Sequence, residues 1–103
     1  MAGSGTIIVV GAGFYGAVMA ERFASAGKRV LVLDKRPHVG GNSFSRPDPD
    51  TGVEEHVYGP HIFHTSDEAV WAYANRFTAF NGYRHHYTFF LQPSQEMHSM
   101  VNH

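Results

Sequence analysis

Gly11-Ala12-Gly13-Phe14-Tyr15-Gly16 decides the fold, because of what stands on either side of it. Before it, Thr6-Ile7-Ile8-Val9-Val10 is a short β-branched run, the composition of a strand buried on both faces of a parallel sheet. After it, Phe14, Ala17, Val18, Ala20, Phe23 and Ala24 recur at helical spacing up to Ala26, and Gly27 stands where a helix-ending glycine belongs. Arg29-Val30-Leu31-Val32-Leu33-Asp34 is a second strand run, and it ends in an acid. Strand, helix and strand in so short a stretch predict a right-handed βαβ crossover.

On its own a G-x-G-x-x-G is a weak signal; a strand before it, a helix after it and an acid closing the next strand give it meaning. Gly11 is expected to make the tight turn, Gly13 to let the backbone approach a pyrophosphate, and Gly16 to let helix and strand pack closely. The helix N-terminus would offer unpaired N–H groups and positive dipole to the phosphates. Asp34 would accept from the 2′- and 3′-hydroxyls of a ribose and disfavour a 2′-phosphate. Lys35 and Arg36 could accommodate such a phosphate but read more simply as solvent-facing charges. The fold class is therefore α/β, a Rossmann-like FAD/NAD(P)-binding βαβ unit carrying a small β-hairpin and one additional helix.

The hairpin is read from the turn cluster Arg46-Pro47-Asp48-Pro49-Asp50-Thr51-Gly52, between extended pieces at Ser43 to Ser45 and Val53 to Val57. The additional helix is read from Thr65-Ser66-Asp67-Glu68, with Thr65 or Ser66 as the cap. It should run to about Phe77 and bury Val70, Trp71, Ala74 and Phe77. Tyr83 to Leu91 is aromatic and β-prone, so a strand is expected there. With no internal repeat and no linker, residues 1–103 are read as a single domain with a flexible 1–5 and an irregular tail at 92–103.

Composition excludes several functions. The chain has 103 residues, 43% of them hydrophobic and 17% charged, which is ordinary for a globular protein. A net charge of −1 provides no basic field to recruit nucleic acid or anionic lipid. The absence of cysteine removes disulfides, thiolate catalysis and cysteine metal sites. The apolar run Ile7 to Val10 is too short for a membrane span or a signal-peptide core, so a cytoplasmic soluble protein is the reading. Eight histidines, with His61-x-x-His64 and His85-His86 among them, invite a metal site. However, no glutamate completes a zincin pattern, and adjacent strand residues point to opposite faces. No metal is expected.

The glycine motif does not separate NAD from FAD. His38-Val39-Gly40-Gly41-Asn42 follows the acid by four to eight residues, a spacing found in flavoproteins of the glutathione-reductase type, where a loop folds over the pyrophosphate. Taken together, Gly11 to Ala17, Arg36-Pro37-His38-Val39-Gly40-Gly41-Asn42 and Tyr58-Gly59-Pro60-His61-Ile62-Phe63-His64-Thr65 resemble the N-terminal part of the UDP-galactopyranose mutase family. Val70-Trp71-x-Tyr73 and Phe80-Asn81-Gly82-Tyr83-Arg84-His85 extend the likeness, which covers roughly residues 6 to 86.

The resemblance implies a flavoenzyme that interconverts UDP-galactopyranose and UDP-galactofuranose. In that family reduced FAD is the nucleophile: N5 displaces UDP as an adduct, and the sugar recloses with no net redox change. By position, Gly11, Gly13, Tyr15 and Gly16 would lie along the FAD phosphates and Asp34 and Lys35 by the adenosine ribose. Gly41 and Asn42 would form the covering loop, and His61 and Ile62 would approach the flavin ring. His85 would border the substrate pocket. Family members are several times longer than this chain, and their UDP-clamping arginines fall outside it. From Tyr87 to Ser94 the sequence departs from the family pattern. The chain by itself is therefore expected to lack mutase activity. The implied partners are UDP-galactose and either a homo-oligomer or a further C-terminal part. Two rival readings share these residues: a non-catalytic Rossmann module that holds FAD, ADP or NAD, and an inert truncated gene product.

Overall fold

The computed structural model describes residues 5–91 and 96–101, with 89–91 and 96–101 as backbone only. The chain divides into two compact units, 1–61 and 62–103.

The first unit opens with β1 (Thr6–Val10), α1 (Phe14–Ser25) and β2 (Arg29–Leu33). β1 and β2 are parallel and in register from Thr6 opposite Arg29 to Val10 opposite Leu33, and α1 packs against both. The α/β assignment stands. The connection back to β2 is short because α1 ends in a Schellman motif. Gly27, at φ +80°, donates to Ala24 O (2.9 Å) while Lys28 N–H reaches Phe23 O (3.0 Å).

The strands are not buried on both faces as their composition predicts. Val10 is 83% exposed, and Ile8, Leu31 and Leu33 are about half exposed. A continuous apolar run in a sequence reports which residues favour burial; it does not supply the layer that would cover them. Among the described residues of this unit, Ala12 and Gly16, both in the glycine turn region, are the buried ones.

The hairpin forms as expected with its arms moved by a residue or two: β3 (Ser45–Pro47) pairs antiparallel with β4 (Glu54–His56). Asp48 builds the turn. Its Oδ1 accepts from the backbone of Asp50 (3.0 Å) and Thr51 (2.8 Å) and from the Thr51 hydroxyl (2.9 Å). These bonds, the Thr51 backbone foremost, hold its carboxyl below the usual carboxylate range. Ser45 and Glu54 hydrogen-bond across the arms.

In the second unit α2 spans Glu68–Ala74, shorter than predicted, and its cap is Asp67 rather than Thr65 or Ser66. Thr65 acts one step earlier: its hydroxyl accepts from Asp67 N–H (3.1 Å) and orients the cap. The helix stops early because Arg76 and Phe77 bond three residues back, to Tyr73 O and Ala74 O (both 3.1 Å). Trp71 is not buried. It is 46% exposed, yet it lies in a row of aromatic rings, 6.2 Å from Phe63 and 4.8 Å from Phe80. Phe63 and Phe80 are themselves 5.2 Å apart. This cluster gives the second unit a centre of its own. β5 (His86–Leu91) pairs antiparallel with β6 (Glu96–Val101), so a strand occupies half of the stretch read as an irregular tail, and the rest of that stretch lies outside the described residues. Residues 1–4, 92–95 and 102–103 lie outside the described residues, and with them most of the expected flexible N-terminus. Among the described residues no helix is long and apolar enough to cross a membrane.

Candidate dinucleotide site

A groove of about 390 Å³ opens at the C-terminal ends of β1 and β2 and is lined by Val10, Gly11, Gly13, Leu33, Asp34, Lys35, Arg36, Gly41 and Asn42. This is where the carboxyl ends of parallel strands deliver a ligand to a helix N-terminus.

The glycines do three different things. Gly11 holds φ +101° and donates to Leu33 O (2.7 Å), which ties the turn to the end of β2. Gly16 is buried against the turn: a Cβ there would collide with the Gly11 carbonyl oxygen and stand 3.3 Å from Val9 Cγ1. Gly13 has ordinary backbone angles, and a Cβ on it would meet only Gly41 Cα, at 3.8 Å. Its missing side chain thus serves the groove rather than the fold.

Helix α1 starts directly beneath. Its Ncap is Gly13, with no capping side chain and no acid in the first turn. The first intrahelical bond runs from Ala17 N–H to Gly13 O (2.9 Å), so the first-turn N–H groups of Phe14, Tyr15 and Gly16 are left for a ligand or water.

Gly40-Gly41 folds back onto this turn. Gly40 N–H donates to Ala12 O (2.8 Å), and the backbones of Gly41 and Gly13 are so close that a Cβ on Gly41 would lie 3.0 Å from Gly13 Cα. Both residues have positive φ, +97° and +58°, before a short 3-10 turn over Gly41–Ser43.

Asp34 does more than face the groove. Its Oδ2 accepts from Ala12 N–H in the glycine turn (2.7 Å) and its Oδ1 from Arg36 N–H (2.8 Å). These two bonds, the Arg36 one foremost, hold its carboxyl below the usual carboxylate range, and the remaining lone pairs can take ribose hydroxyls. Lys35 lies beside it on the lining.

Arg36, read from the sequence as a solvent-facing charge, is a groove residue. Its Nη1 donates to Asn42 Oδ1 (2.9 Å), and its guanidinium lies 4.2 Å from the centre of the Tyr58 ring. Val10 and Leu33 are the other lining residues that sequence reasoning missed, because an apolar strand end reads as core. A six-residue separation across the Gly40-Gly41 turn was the available signal for the Arg36–Asn42 pair.

Other expected site residues stand apart from the lining. Tyr15, 84% exposed, follows the glycine turn on α1 without lining the groove. His61 closes the first unit, its Nδ1 bonded to Gly59 O (3.0 Å). Ile62 and His85 belong to the second unit, where His85 shares a hydrogen bond with the Tyr83 hydroxyl (3.1 Å) and stands edge-on to Tyr87. Among the described residues, no three His, Asp or Glu side chains gather as a metal ion would need.

The NAD(P)-binding Rossmann-like domain family matches residues 9–77, which include the glycine turn, Asp34 and the second glycine pair. The chain belongs to that family. This Rossmann-like chain is also 54% identical over 71 residues to the Klebsiella pneumoniae protein named "Probable UDP-galactopyranose mutase", covering 69% of this chain and 18% of that one. It is 43% identical over 77 residues to the dTDP-fucopyranose mutase of Escherichia coli (75% and 20% covered) and 44% over 79 residues to the UDP-galactopyranose mutase of Mycoplasma genitalium (77% and 20%). The resemblance to the N-terminal part of the mutases is therefore borne out, and the Rossmann-like chain spans about a fifth of the length of these curated relatives.

Proposed function

We propose that this chain is the FAD-binding N-terminal part of a cytoplasmic UDP-galactopyranose mutase, whose sugar-nucleotide chemistry needs further residues. The observation that carries the reading is the groove itself. An uncapped helix N-terminus, side-chain-free positions at Gly11, Gly13 and Gly41, and the Asp34 carboxylate converge on one cleft. Such a cleft suits a diphosphate joined to a ribose. The Gly40-Gly41 loop seated on the glycine turn favours FAD over NAD, since a nicotinamide dehydrogenase usually runs from that strand into its next helix. The names of the relatives, UDP-galactopyranose mutase among them, support the mutase part of the reading.

In this reading the backbone at Gly11, Gly13 and Gly41 lies along the pyrophosphate, Asp34 accepts from the ribose, and Lys35 and Asn42 edge the same cleft. Tyr15 borders the phosphates from α1. His61 and Ile62 are assigned to the flavin ring and His85 to the border of the UDP-galactose pocket. When bound and reduced, FAD supplies a nucleophilic N5 to the anomeric carbon. One relative is named for dTDP-fucopyranose, so the residues matched here accompany more than one nucleotide sugar, and choice of sugar is assigned to residues elsewhere. A homo-oligomer or a C-terminal part would complete the site.

Gel filtration with FAD tests the reading: the flavin's visible absorbance is expected to co-elute with the chain and to be displaced by ADP. The chain alone with dithionite-reduced flavin is expected to convert no UDP-galactofuranose, followed by chromatography of the two sugar nucleotides. Failure to bind either FAD or ADP would overturn the proposal, and turnover above the buffer blank would overturn the need for further residues.

A further inference from the structure

Four aromatic or planar side chains from separate stretches of the first unit meet beside the groove. His38 stacks on Phe44 with ring centres 3.9 Å apart and planes 10° from parallel. Its Nδ1–H donates to Val39 O (3.0 Å), and its Nε2 shares a hydrogen bond with the Tyr58 hydroxyl at 2.8 Å. Tyr58, just past β4, in turn presents its ring face to Arg36. Asn42 Oδ1 accepts from Nη1 of the same guanidinium.

Arginine has several rotatable bonds, and an exposed one samples many positions. Here two contacts, from Asn42 and Tyr58, restrict it at the groove rim. One guanidinium N–H goes to Asn42, and the remaining donors are available to phosphate oxygens, which a planar fork binds well. Resting on the dinucleotide reading above, we infer that Tyr58 is a positioning residue: its ring face, with Asn42, holds the Arg36 guanidinium where it meets the diphosphate of the bound nucleotide. Tyr58 touches no ligand itself. The ring does the holding, and the hydroxyl bond to His38 keeps the ring in place.

ADP affinity of the full chain, measured by titration calorimetry across a double-mutant cycle, separates this role from a merely structural one. Arg36→Gln is expected to weaken ADP binding about ten-fold or more, as loss of a charge-assisted bond does. Tyr58→Leu should weaken it about two- to five-fold, the range of an exposed cation–π contact. Tyr58→Phe, which keeps the ring, should stay nearer wild type than Tyr58→Leu. In the Arg36→Gln background Tyr58→Leu should cause no further loss, because nothing remains for the ring to hold. An equal loss in both backgrounds, or Tyr58→Phe as weak as Tyr58→Leu, would overturn the inference while leaving the dinucleotide reading intact. Absence of ADP binding in wild type would overturn both.

Discussion

At the start of α2 the Asp67 carboxylate accepts from Ala69 N–H (2.8 Å) and Val70 N–H (3.0 Å), and Glu68 adds a second negative charge to the first turn. At the start of α1 the Ncap is Gly13, which has no side chain to give, and the first turn holds no acid. Two helices of one chain thus treat the same electrostatic feature in opposite ways. The unpaired N–H groups and positive dipole end of α2 are neutralised from within, whereas those of α1 are left for something else. A helix that only has to fold benefits from a cap. A helix that takes glycine at its cap gives up roughly a few tenths of a kcal/mol, a small loss that makes sense where an anionic ligand takes the cap's place.

The strongest way to break the contrast is to deny α1 its seat. Gly16→Val puts a side chain into the Gly11 carbonyl and Val9, and is expected to destabilise the first unit by about 3 kcal/mol or more, read as a lower urea midpoint. An unchanged midpoint would mean that α1 does not depend on its close approach to the turn.

Gly13→Val tests the empty cap itself. The backbone there is ordinary and the nearest obstacle to a Cβ is 3.8 Å away, so the helical circular-dichroism signal should survive. ADP and FAD binding should be abolished, because the side chain occupies the space of the pyrophosphate. Wild-type affinity in the variant would remove the phosphate cradle from the account.

Asp67→Ala is the counterpart on the other helix. It should cost about 1 kcal/mol of stability in thermal melts and leave ADP affinity unchanged. A variant that lost ADP binding would show that the two helix ends are not separate devices.

The smallest expected effect concerns Asp34, whose carboxyl is lowered by its bonds to the Arg36 and Ala12 N–H groups. A depressed folded value means the stabilisation is present above the ordinary value of 3.8 and fades as pH falls through the lowered one. Wild type should therefore exceed Asp34→Asn in stability at neutral pH, and the gap should close in strong acid. A gap that persisted below both values would assign the effect to something other than the charge.

Most of the first unit was legible because its signals are local and redundant. β1, α1, Gly27 and β2 are each marked by composition or by a residue only the backbone geometry explains, and Gly11, Gly13 and Asp34 fall where the spacing puts them. The α2 cap was not legible: Thr65, Ser66 and Asp67 are all capping residue types, and in the structure Asp67 accepts from Ala69 and Val70 while Thr65 accepts from Asp67. β6 was missed because Glu96 to Val101 shows no clear alternation, and its pairing with β5 is a tertiary fact. Arg36 looked like a surface charge since its partners, Asn42 and Tyr58, stand six and twenty-two residues away.

Gly13 and Gly41 face one another with neither side chain present, and this has a consequence for how the molecule can vary. Elsewhere in a protein, a residue that grows can be accommodated by a neighbour that shrinks. Between these two backbones nothing is left to shrink: a Cβ on Gly41 already meets Gly13 Cα at 3.0 Å, and its φ of +58° is disfavoured for any other residue. A substitution at position 41 therefore has no compensating partner at position 13. The two loops can drift in sequence all around this point, but the point itself offers no neutral path away from glycine.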